Sequence, residues 1–519
     1  MQKNHRRLYI ISILILIISI TGCINIHRSS TLIVDDYNGV DLDRIHHYRI
    51  EVDFDPMDRS YTADQTVVYM NNTGRALDEV YFHIYPNAYS NIETAPVLFD
   101  MANISREQYR TGYVWIEEIR VDGEKVDFTI EGEGNTILKI ESRVPIESNG
   151  KANIDLKYRI GLPRNIDRFG YGDGVFNFGN WYPIACVYDD KGWNLDPYYS
   201  IGDPFYSDIG NYDITIRVPK DMVIAATGKI ASRKARGDSW VYTIESKLTR
   251  DFAWAASPHF SIEELEIGGT TIKLYFMEDS SDMVDSDMVD FALQVGADSL
   301  EIFNRCFGKY PYSQYSIVLT EFPTGMEYPN MVFINKDYLN QDYKATLEQV
   351  IVHETAHQWW YGIVGNDQID EAWLDEALTS YSEVIYMANK YGEPRAMDYY
   401  TYNFQIPYEQ YSEYSIEDGA INKPLDQFEN WKDYGFLVYI KGAVFINSIG
   451  EDFGTEVLYD ILNRYYSIYR FRNGDTEGFL KVCQEVTGTS FEEEANRWLY
   501  DRFFQAEDGI RDDLVTGVQ

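Results

Sequence analysis

The segment "VIVHETAHQWW" (Val350–Trp360) contains two histidines four residues apart, with a glutamate directly after the first. The chain of 519 residues has only 8 histidines, so this pairing is uncommon. Residues four apart on an α-helix lie on the same face, one turn from each other. The apolar residues around the motif predict a helix that would direct the imidazoles of His353 and His357 toward one point.

This H-E-x-x-H pattern is typical of helices that bind zinc through both histidines. Glu354 lies about 100° round the helix axis, so we expect it to act on a water molecule and not to bind the metal. The pairing also arises by chance on amphipathic helices, so the third ligand is decisive. Catalytic zinc takes three protein ligands and keeps one open position. Glu376 in "WLDEA", with 18 residues between it and His357, would reach the imidazoles from a returning helix. The set predicts one bound Zn²⁺.

Length and composition describe a globular protein of two or three domains, with 45% hydrophobic residues. The net charge of −38 argues against nucleic acid as a partner and against electrostatic docking on anionic lipid. Beyond Cys23, the three cysteines Cys186, Cys306 and Cys483 are widely spaced. They form neither a disulfide scaffold nor a cysteine metal site, although one disulfide remains an alternative to three buried thiols.

Hydrophobic periodicity divides the chain. From Tyr48 to about Phe260 apolar residues alternate with polar ones, as in "YRIEVDF", which predicts an antiparallel β domain. After about Asp282 the spacing becomes helical. We expect one helix in "TLEQVIVHETAHQWWYGIVG", opened by a capping box of Thr346 and Gln349, and another in "IDEAWLDEALTSYSEVIYMANKYGEP". The pattern predicts a β-rich half followed by a mainly helical half.

The N-terminus "MQKNHRRLYIISILILIISITGC" begins with basic residues and continues with an apolar run. That run is short for a transmembrane helix and suits a signal sequence. The "ITGC" that ends it resembles a bacterial lipobox, which implies lipidation of Cys23; a plain signal anchor is the alternative. Either interpretation predicts an extracytoplasmic protein that the lipid or the anchor attaches to the bacterial cell membrane.

The C-terminal stretch "FFQAEDGIRDDLVTGVQ" has no usable periodicity. It resembles the translation of a sequencing adapter. We therefore expect residues 504–519 to be an artefact, with an ordinary polar tail as the alternative.

Three segments together resemble a known family. "HETAH" followed by the glutamate of "WLDEA" is similar to the gluzincins, and within them to the membrane alanyl aminopeptidase family. Asp375 and Ala377 stand where that family often has Asn and Gly. "PTGMEYPNMVF" resembles the family's exopeptidase motif, which implies that Glu327 holds the substrate's α-ammonium, with Gly325 and Met326 beside it. Thermolysin-like endopeptidases lack this carboxylate.

"VYIKGAVF" resembles the family's Tyr-x-Lys-Gly-Ala segment. The resemblance implies that Tyr439 donates to the oxyanion of the tetrahedral intermediate; Tyr434 is the alternative. Segments such as "FNFGNWYPIACVYDD" look like the saddle-shaped β domain of bacterial members. The resemblance covers Tyr48 to about Phe503 and does not include the large C-terminal helical domain of many members.

The implied fold class is α+β, an N-terminal antiparallel β saddle-like domain followed by a mainly α thermolysin-like zinc metallopeptidase domain. The expected divisions are a lipoprotein signal peptide (1–23), a tether (24–36), the β domain (37–262), the catalytic domain (263–503) and the tail (504–519).

The implied function is a zinc-dependent aminopeptidase that hydrolyses the N-terminal bond of extracytoplasmic peptides. Glu354 would serve as general base, and Asp375 and Glu383 are candidates for orienting the imidazoles. The alternatives are a zinc endopeptidase, another zinc hydrolase, or a catalytically silent surface lipoprotein that binds peptides. Zinc content and turnover of an amino-acid anilide would distinguish them.

Overall fold

The computed structural model describes residues 31–96, 105–278, 284–412 and 419–500. The predicted signal peptide, Cys23 and the expected adapter tail lie outside these residues. Within them, no helix combines the length and apolar character needed to cross a membrane.

The described residues contain many short strands and a few long ones. They are β1 (His46–Asp55), β2 (Ser60–Met70), β3 (Leu77–His83), β4 (Tyr113–Val121), β5 (Glu124–Lys125), β6 (Phe128–Glu131), β7 (Ile137–Ile146), β8 (Lys151–Gly161), β9 (Phe169–Tyr171), β10 (Phe176–Phe178), β11 (Ile184–Ala185), β12 (Gly210–Pro219), β13 (Val223–Ala226), β14 (Lys229–Arg236), β15 (Ser239–Thr249), β16 (Trp254–Ser257), β17 (Phe260–Ile267), β18 (Thr270–Met277), β19 (Gln314–Thr320), β20 (Gly325–Met326), β21 (Met331–Asn335), β22 (Val364–Gly365) and β23 (Arg472–Asn473).

The α-helices of the described residues all lie in the second half of the chain. They are α1 (Ser286–Cys306), α2 (Lys344–Ala356), α3 (Trp373–Tyr391), α4 (Glu393–Tyr400), α5 (Ile406–Ser412), α6 (Trp431–Tyr434), α7 (Gly442–Phe453), α8 (Thr455–Tyr469), α9 (Thr476–Thr487) and α10 (Glu492–Trp498). Two π-helical segments, Thr401–Gln405 and Gly435–Lys441, continue α4 and α6.

The N-terminal half is built on an eight-stranded sheet with the order β14-β15-β12-β1-β2-β8-β4-β5. Alternate residues of β1, from Tyr48 to Phe54, are buried, as the period-two pattern predicts. Two four-stranded sheets, β13-β16-β10-β9 and β11-β3-β7-β6, accompany it. The pairing is antiparallel except between β1 and β12, which run parallel; the about 155 residues between them are long enough for the crossover connection that parallel strands need.

A five-stranded sheet with the order β17-β18-β19-β21-β20 begins the second half. Strands β18, β19 and β21 run parallel, and β20 is an antiparallel edge strand. The expected domain limit at residues 262 and 263 falls inside β17, whose pairing with β18 joins it to this sheet. The edge strand β20 carries the "TGMEYP" segment to the side of the zinc-motif helix.

The zinc-motif helix differs in detail from its prediction. Helix α2 begins at Lys344, two residues before the expected capping box, because a 3₁₀ turn over Gln341–Tyr343 leads directly into it. It ends at Ala356, and His357 is the first residue beyond it, with φ −59° and ψ −17°. Because these angles are still helical, His357 remains on the same face as His353.

The second expected helix is confirmed as α3. It ends at Tyr391, the following Gly392 has a φ of 91° that favours glycine, and Pro394 then lies in the first turn of α4. The α+β fold class is also confirmed. Cys186, Cys306 and Cys483 are buried free thiols, so the single disulfide that the sequence left open is not formed.

The described end of the predicted tether packs on the folded body. Leu32 is buried, and the Ile33 N–H donates to the carbonyl of Pro311 at 2.8 Å. Asp36 forms an ion pair with Arg470. Residues 31–36 therefore lie against the helical half of the molecule and do not form an extended tether.

Candidate metal centre

Helices α2 and α3 bring the three predicted ligands together. Glu376 Oε2 lies 3.2 Å from His357 Nε2 and 3.5 Å from His353 Nε2. One donor atom from each of the three residues lies within 4.8 Å of the other two. The side chains of His357 and Glu376 are almost fully buried, and that of His353 is 14% exposed. The donors therefore face one point at the edge of a pocket.

The three donor residues suit a zinc ion. Glu376 Oε2 is buried and has no hydrogen-bond partner, which is costly for a carboxylate oxygen. Burial lowers the pKa of His357, but Glu376 and Glu327 offset this and raise it to about 10. The negative charges of Glu376 and Glu327 that favour a proton on the His357 imidazole also favour a metal cation bound to it. Two imidazoles and one carboxylate are the ligands of many catalytic zinc sites.

Each imidazole is oriented through its Nδ1. His353 Nδ1 lies 2.7 Å from Glu383 Oε1, and Glu383 also accepts a hydrogen bond from Tyr399. His357 Nδ1 lies 3.0 Å from the carbonyl oxygen of Trp360. Hydrogen bonds at Nδ1 direct both Nε2 atoms toward Glu376 and fix the tautomer that can bind a metal.

Asp375 has a different neighbourhood from the one expected. Its Oδ2 lies 4.0 Å from His357 Nδ1, which is beyond hydrogen-bond distance. It accepts instead from Asn366 Nδ2 at 2.9 Å and from Gln368 Nε2 at 2.7 Å. The carbonyl of Trp360 takes the orienting position that Asp375 was expected to fill. Sequence reasoning missed Trp360 because a backbone carbonyl has no residue signature.

Glu354 lies against the edge strand. A Cβ added to Gly325 would come within 2.2 Å of Glu354 Oε1, so the close approach requires glycine. Glu354 is 5% exposed, and its Oε2 has no hydrogen-bond partner. Burial raises the pKa of Glu354 to about 7, against the lowering effect of the two imidazoles. A carboxylate with these properties suits proton transfer near neutral pH.

Glu327 follows directly after β20 and is 4% exposed. Burial and the neighbouring carboxylate of Asp203 raise its pKa well above the usual range. The sulfur of the neighbouring Met326 accepts a hydrogen bond from Arg168 Nε at 3.2 Å. Of the predicted substrate-binding residues, Gly325 and Glu327 line the same pocket as the metal ligands, and Met326 does not.

Tyr439 lies in the π-helical segment Gly435–Lys441. Its hydroxyl donates to Glu376 Oε1 at 2.5 Å, and its ring stacks on that of His353 with centroids 5.8 Å apart. The ring of Tyr434, the alternative, meets Tyr439 edge-on at 5.8 Å. Tyr439 is therefore the tyrosine whose hydroxyl touches a ligand residue.

These groups line one pocket of about 100 Å³. The β half contributes Arg168 and Asp203, which form a buried ion pair at its wall. The Arg168 guanidinium also donates to the carbonyl of Gly202 at 3.1 Å. Sequence reasoning missed both residues because they come from a loop-rich region that shares no motif with the zinc helices.

Residues 291–498 match the peptidase family M1 domain. The match covers α2, α3, the three ligands and the segment with Tyr439. The family resemblance, the zinc metallopeptidase class and the single-zinc site expected from the sequence are thereby confirmed at the level of the family.

Curated relatives are similar to this chain over part of their length. Aminopeptidase M1-B of Oryza sativa subsp. japonica is 24% identical over 305 residues, which are 55% of this chain and 34% of the relative. Aminopeptidase B of Rattus norvegicus is 26% identical over 216 residues, 38% of this chain and 32% of the relative. The chain thus spans about a third of the length of these relatives.

Solved structures share the fold of this chain over most of its length. The M1 zinc metallopeptidase from Deinococcus radiodurans superposes with a TM-score of 0.60 at 15% identity, covering 88% of this chain and 94% of that one. A mutant of that protein bound to a Tyr-Ser-Ala substrate gives a TM-score of 0.61 at 14% identity, with the same coverage. Both likenesses confirm the two-part α+β architecture.

Replacing His357 by alanine is expected to abolish stoichiometric zinc binding, because one of three ligands is lost and Glu376 keeps an unpaired oxygen. Metal analysis of purified protein measures this directly. His259→Ala, at an exposed histidine away from the ligands, should keep one zinc per chain. Full zinc occupancy in His357→Ala would contradict the assigned site.

Proposed function

We propose that this chain is a zinc-dependent aminopeptidase that releases the N-terminal residue of peptides. The observation that carries the proposal is the buried carboxylate of Glu327 in the same pocket as His353, His357 and Glu376. An α-ammonium entering this pocket loses water and therefore needs a charged partner. Glu327 supplies that partner and would place the first peptide bond next to the ligands.

The edge strand offers the second element of substrate recognition. Among the described residues, strand β20 pairs only with β21, and we infer that an extended peptide would bind along its other edge. Main-chain hydrogen bonds to such an edge hold a peptide without regard to its side chains. Together with Glu327, the edge would fix both the direction and the end of the substrate.

His353, His357 and Glu376 would hold the zinc ion, which supplies a Lewis acid for the carbonyl and lowers the pKa of a water molecule. Glu354 accepts the proton of the attacking water and delivers it to the leaving amine. The hydroxyl of Tyr439 turns from Glu376 to donate to the developing oxyanion. Glu327 retains the amine end throughout, so cleavage is confined to the first bond.

Removing the carboxylate of Glu327 is expected to cost about 2–4 kcal/mol of transition-state binding for free-amine peptides, about a 30- to 900-fold loss in kcat/KM. N-acetylated peptides carry no charge at this end and should be poor substrates of both the parent enzyme and Glu327→Ala. Hydrolysis of matched free and acetylated peptides, with products identified by mass, measures both effects.

The matched control is Asp337→Ala, which removes an exposed carboxylate just after β21. It should leave kcat/KM for free peptides within about twofold of the parent enzyme. Cleavage of acetylated peptides at internal bonds, unchanged by Glu327→Ala, would instead identify a zinc endopeptidase.

The proposal extends to location. The basic start, the apolar run and the "ITGC" of the N-terminus support an extracytoplasmic protein lipidated at Cys23 and attached to the cell membrane. Labelling cells with a fatty-acid probe should mark the parent chain and leave Cys23→Ser unmarked, since the thiol is the acyl acceptor. Equal labelling and processing of both proteins would contradict lipidation.

A further inference from the structure

The buried amide of Gln368 lies between two carboxylates. Its Nε2 donates to Glu327 Oε1 at 3.2 Å and to Asp375 Oδ2 at 2.7 Å. Gln368 is 1% exposed. The NH₂ group therefore faces both carboxyl groups, and Gln368 Oε1 is buried without a hydrogen-bond partner.

A further amide anchors the other end of this network. Asn366 Nδ2 donates to Asp375 Oδ1 at 2.9 Å and to the carbonyl of Glu371 at 3.1 Å. Asp375 is thus held on both carboxylate oxygens by side-chain amides. Since Asp375 directly precedes the ligand Glu376 on α3, the network ties Glu327 to the helix that carries the third zinc ligand.

The main chain after Glu327 is held separately. Gln358, directly after the second motif histidine, donates to the carbonyl of Tyr328 at 3.1 Å and accepts from the N–H of Asn330 at 2.8 Å. The backbone of the segment would therefore stay in place without Gln368. Among the described residues, Gln368 is the side chain that hydrogen-bonds the carboxylate of Glu327.

We propose that Gln368 is a positioning residue for substrate recognition: it fixes the carboxylate of Glu327 in the orientation that receives the α-ammonium. Its amide protons lie between the two carboxyl groups, and Asp375 holds the amide in turn. Donor atoms of Glu327, His357 and Asp375 all lie within 4.8 Å of one another, so a small rotation of Glu327 would change its distance to the metal site. This inference rests on the proposed aminopeptidase function.

Gln368→Met tests the role, since methionine is similar in length and has no N–H. KM for free-amine peptides should rise about tenfold, with kcat within about threefold of the parent value, because the variant binds the α-ammonium of the substrate more weakly. Zinc content should be unchanged. A merely structural role for Gln368 would instead lower kcat, zinc content and thermal stability together.

A double-mutant cycle with Glu327→Ala gives the sharper readout. If Gln368 acts through Glu327, Gln368→Met should change kcat/KM by less than about twofold in the Glu327→Ala background. Losses that multiply, giving a further tenfold drop in that background, would overturn the inference. Should Gln368→Met not fold, Gln368→Asn keeps the amide but is one methylene too short to bridge both carboxylates, and the same cycle applies.

The matched control is Gln65→Met in the β half. Gln65 is as buried as Gln368, donates to the carbonyl of Pro183 at 2.7 Å and accepts from Tyr158 at 2.9 Å. Its replacement should reduce stability without changing KM. If the parent enzyme releases no N-terminal residues, the proposed function fails; if it does and the losses multiply, only the role of Gln368 fails.

Discussion

Replacing Glu354 by glutamine is expected to lower kcat about 10²–10⁴-fold while the protein keeps one zinc ion. Glutamine has the shape of glutamate and can still lie against Gly325, but it cannot take a proton from water. Glu354 is absent from the cluster of metal-binding donors, so zinc content should not change. The loss therefore reports proton transfer alone.

Turnover of an amino-acid anilide and metal analysis of the same sample measure the two quantities. Glu348→Gln is the matched control, because Glu348 lies on the same helix and accepts a hydrogen bond from Tyr386 at 2.9 Å, outside the pocket. It should retain activity. A Glu354→Gln enzyme within tenfold of the parent would show that another group is the general base.

Replacing Tyr439 by phenylalanine is expected to lower kcat about 10²–10³-fold, the usual cost of losing one donor to an oxyanion. Phenylalanine keeps the stacking on His353 and removes only the hydroxyl, which donates to Glu376 Oε1 at 2.5 Å. Because the two imidazoles and Glu376 remain, zinc should stay bound. KM should change little, since the hydroxyl acts on the transition state.

The same kinetic and metal measurements distinguish Tyr439 from its neighbour. Tyr434→Phe should retain most of the activity, because the Tyr434 ring contributes packing against Phe428 and Tyr439. The opposite pattern, with Tyr434→Phe inactive and Tyr439→Phe active, would assign the oxyanion donor to Tyr434.

Sequence alone predicts the parts of this site that depend on local periodicity. Two histidines four residues apart on a helix share a face. A second helix that follows after a short connection can place Glu376 next to both imidazoles. The pairing of Glu383 with His353 is also accessible, because both lie on helices whose faces are set by the same ligands.

Other features depend on contacts between distant segments and leave no local signal. The carbonyl of Trp360, the amide of Gln368 and the Arg168–Asp203 pair are brought to the site by tertiary packing. Helix α2 begins earlier than its capping pattern indicates because the preceding turn supplies the first residues. The parallel pairing of β1 with β12 is likewise not evident from local sequence, because it depends on how all the strands of the sheet are arranged.

Aminopeptidase activity is tested by incubating the parent enzyme, loaded with zinc, with one short peptide in its free and N-acetylated forms. Mass spectrometry over time reports the products. We expect successive loss of single residues from the N-terminus of the free peptide, while the acetylated peptide stays intact. Internal fragments from the acetylated peptide, formed as fast as products from the free one, would contradict that expectation.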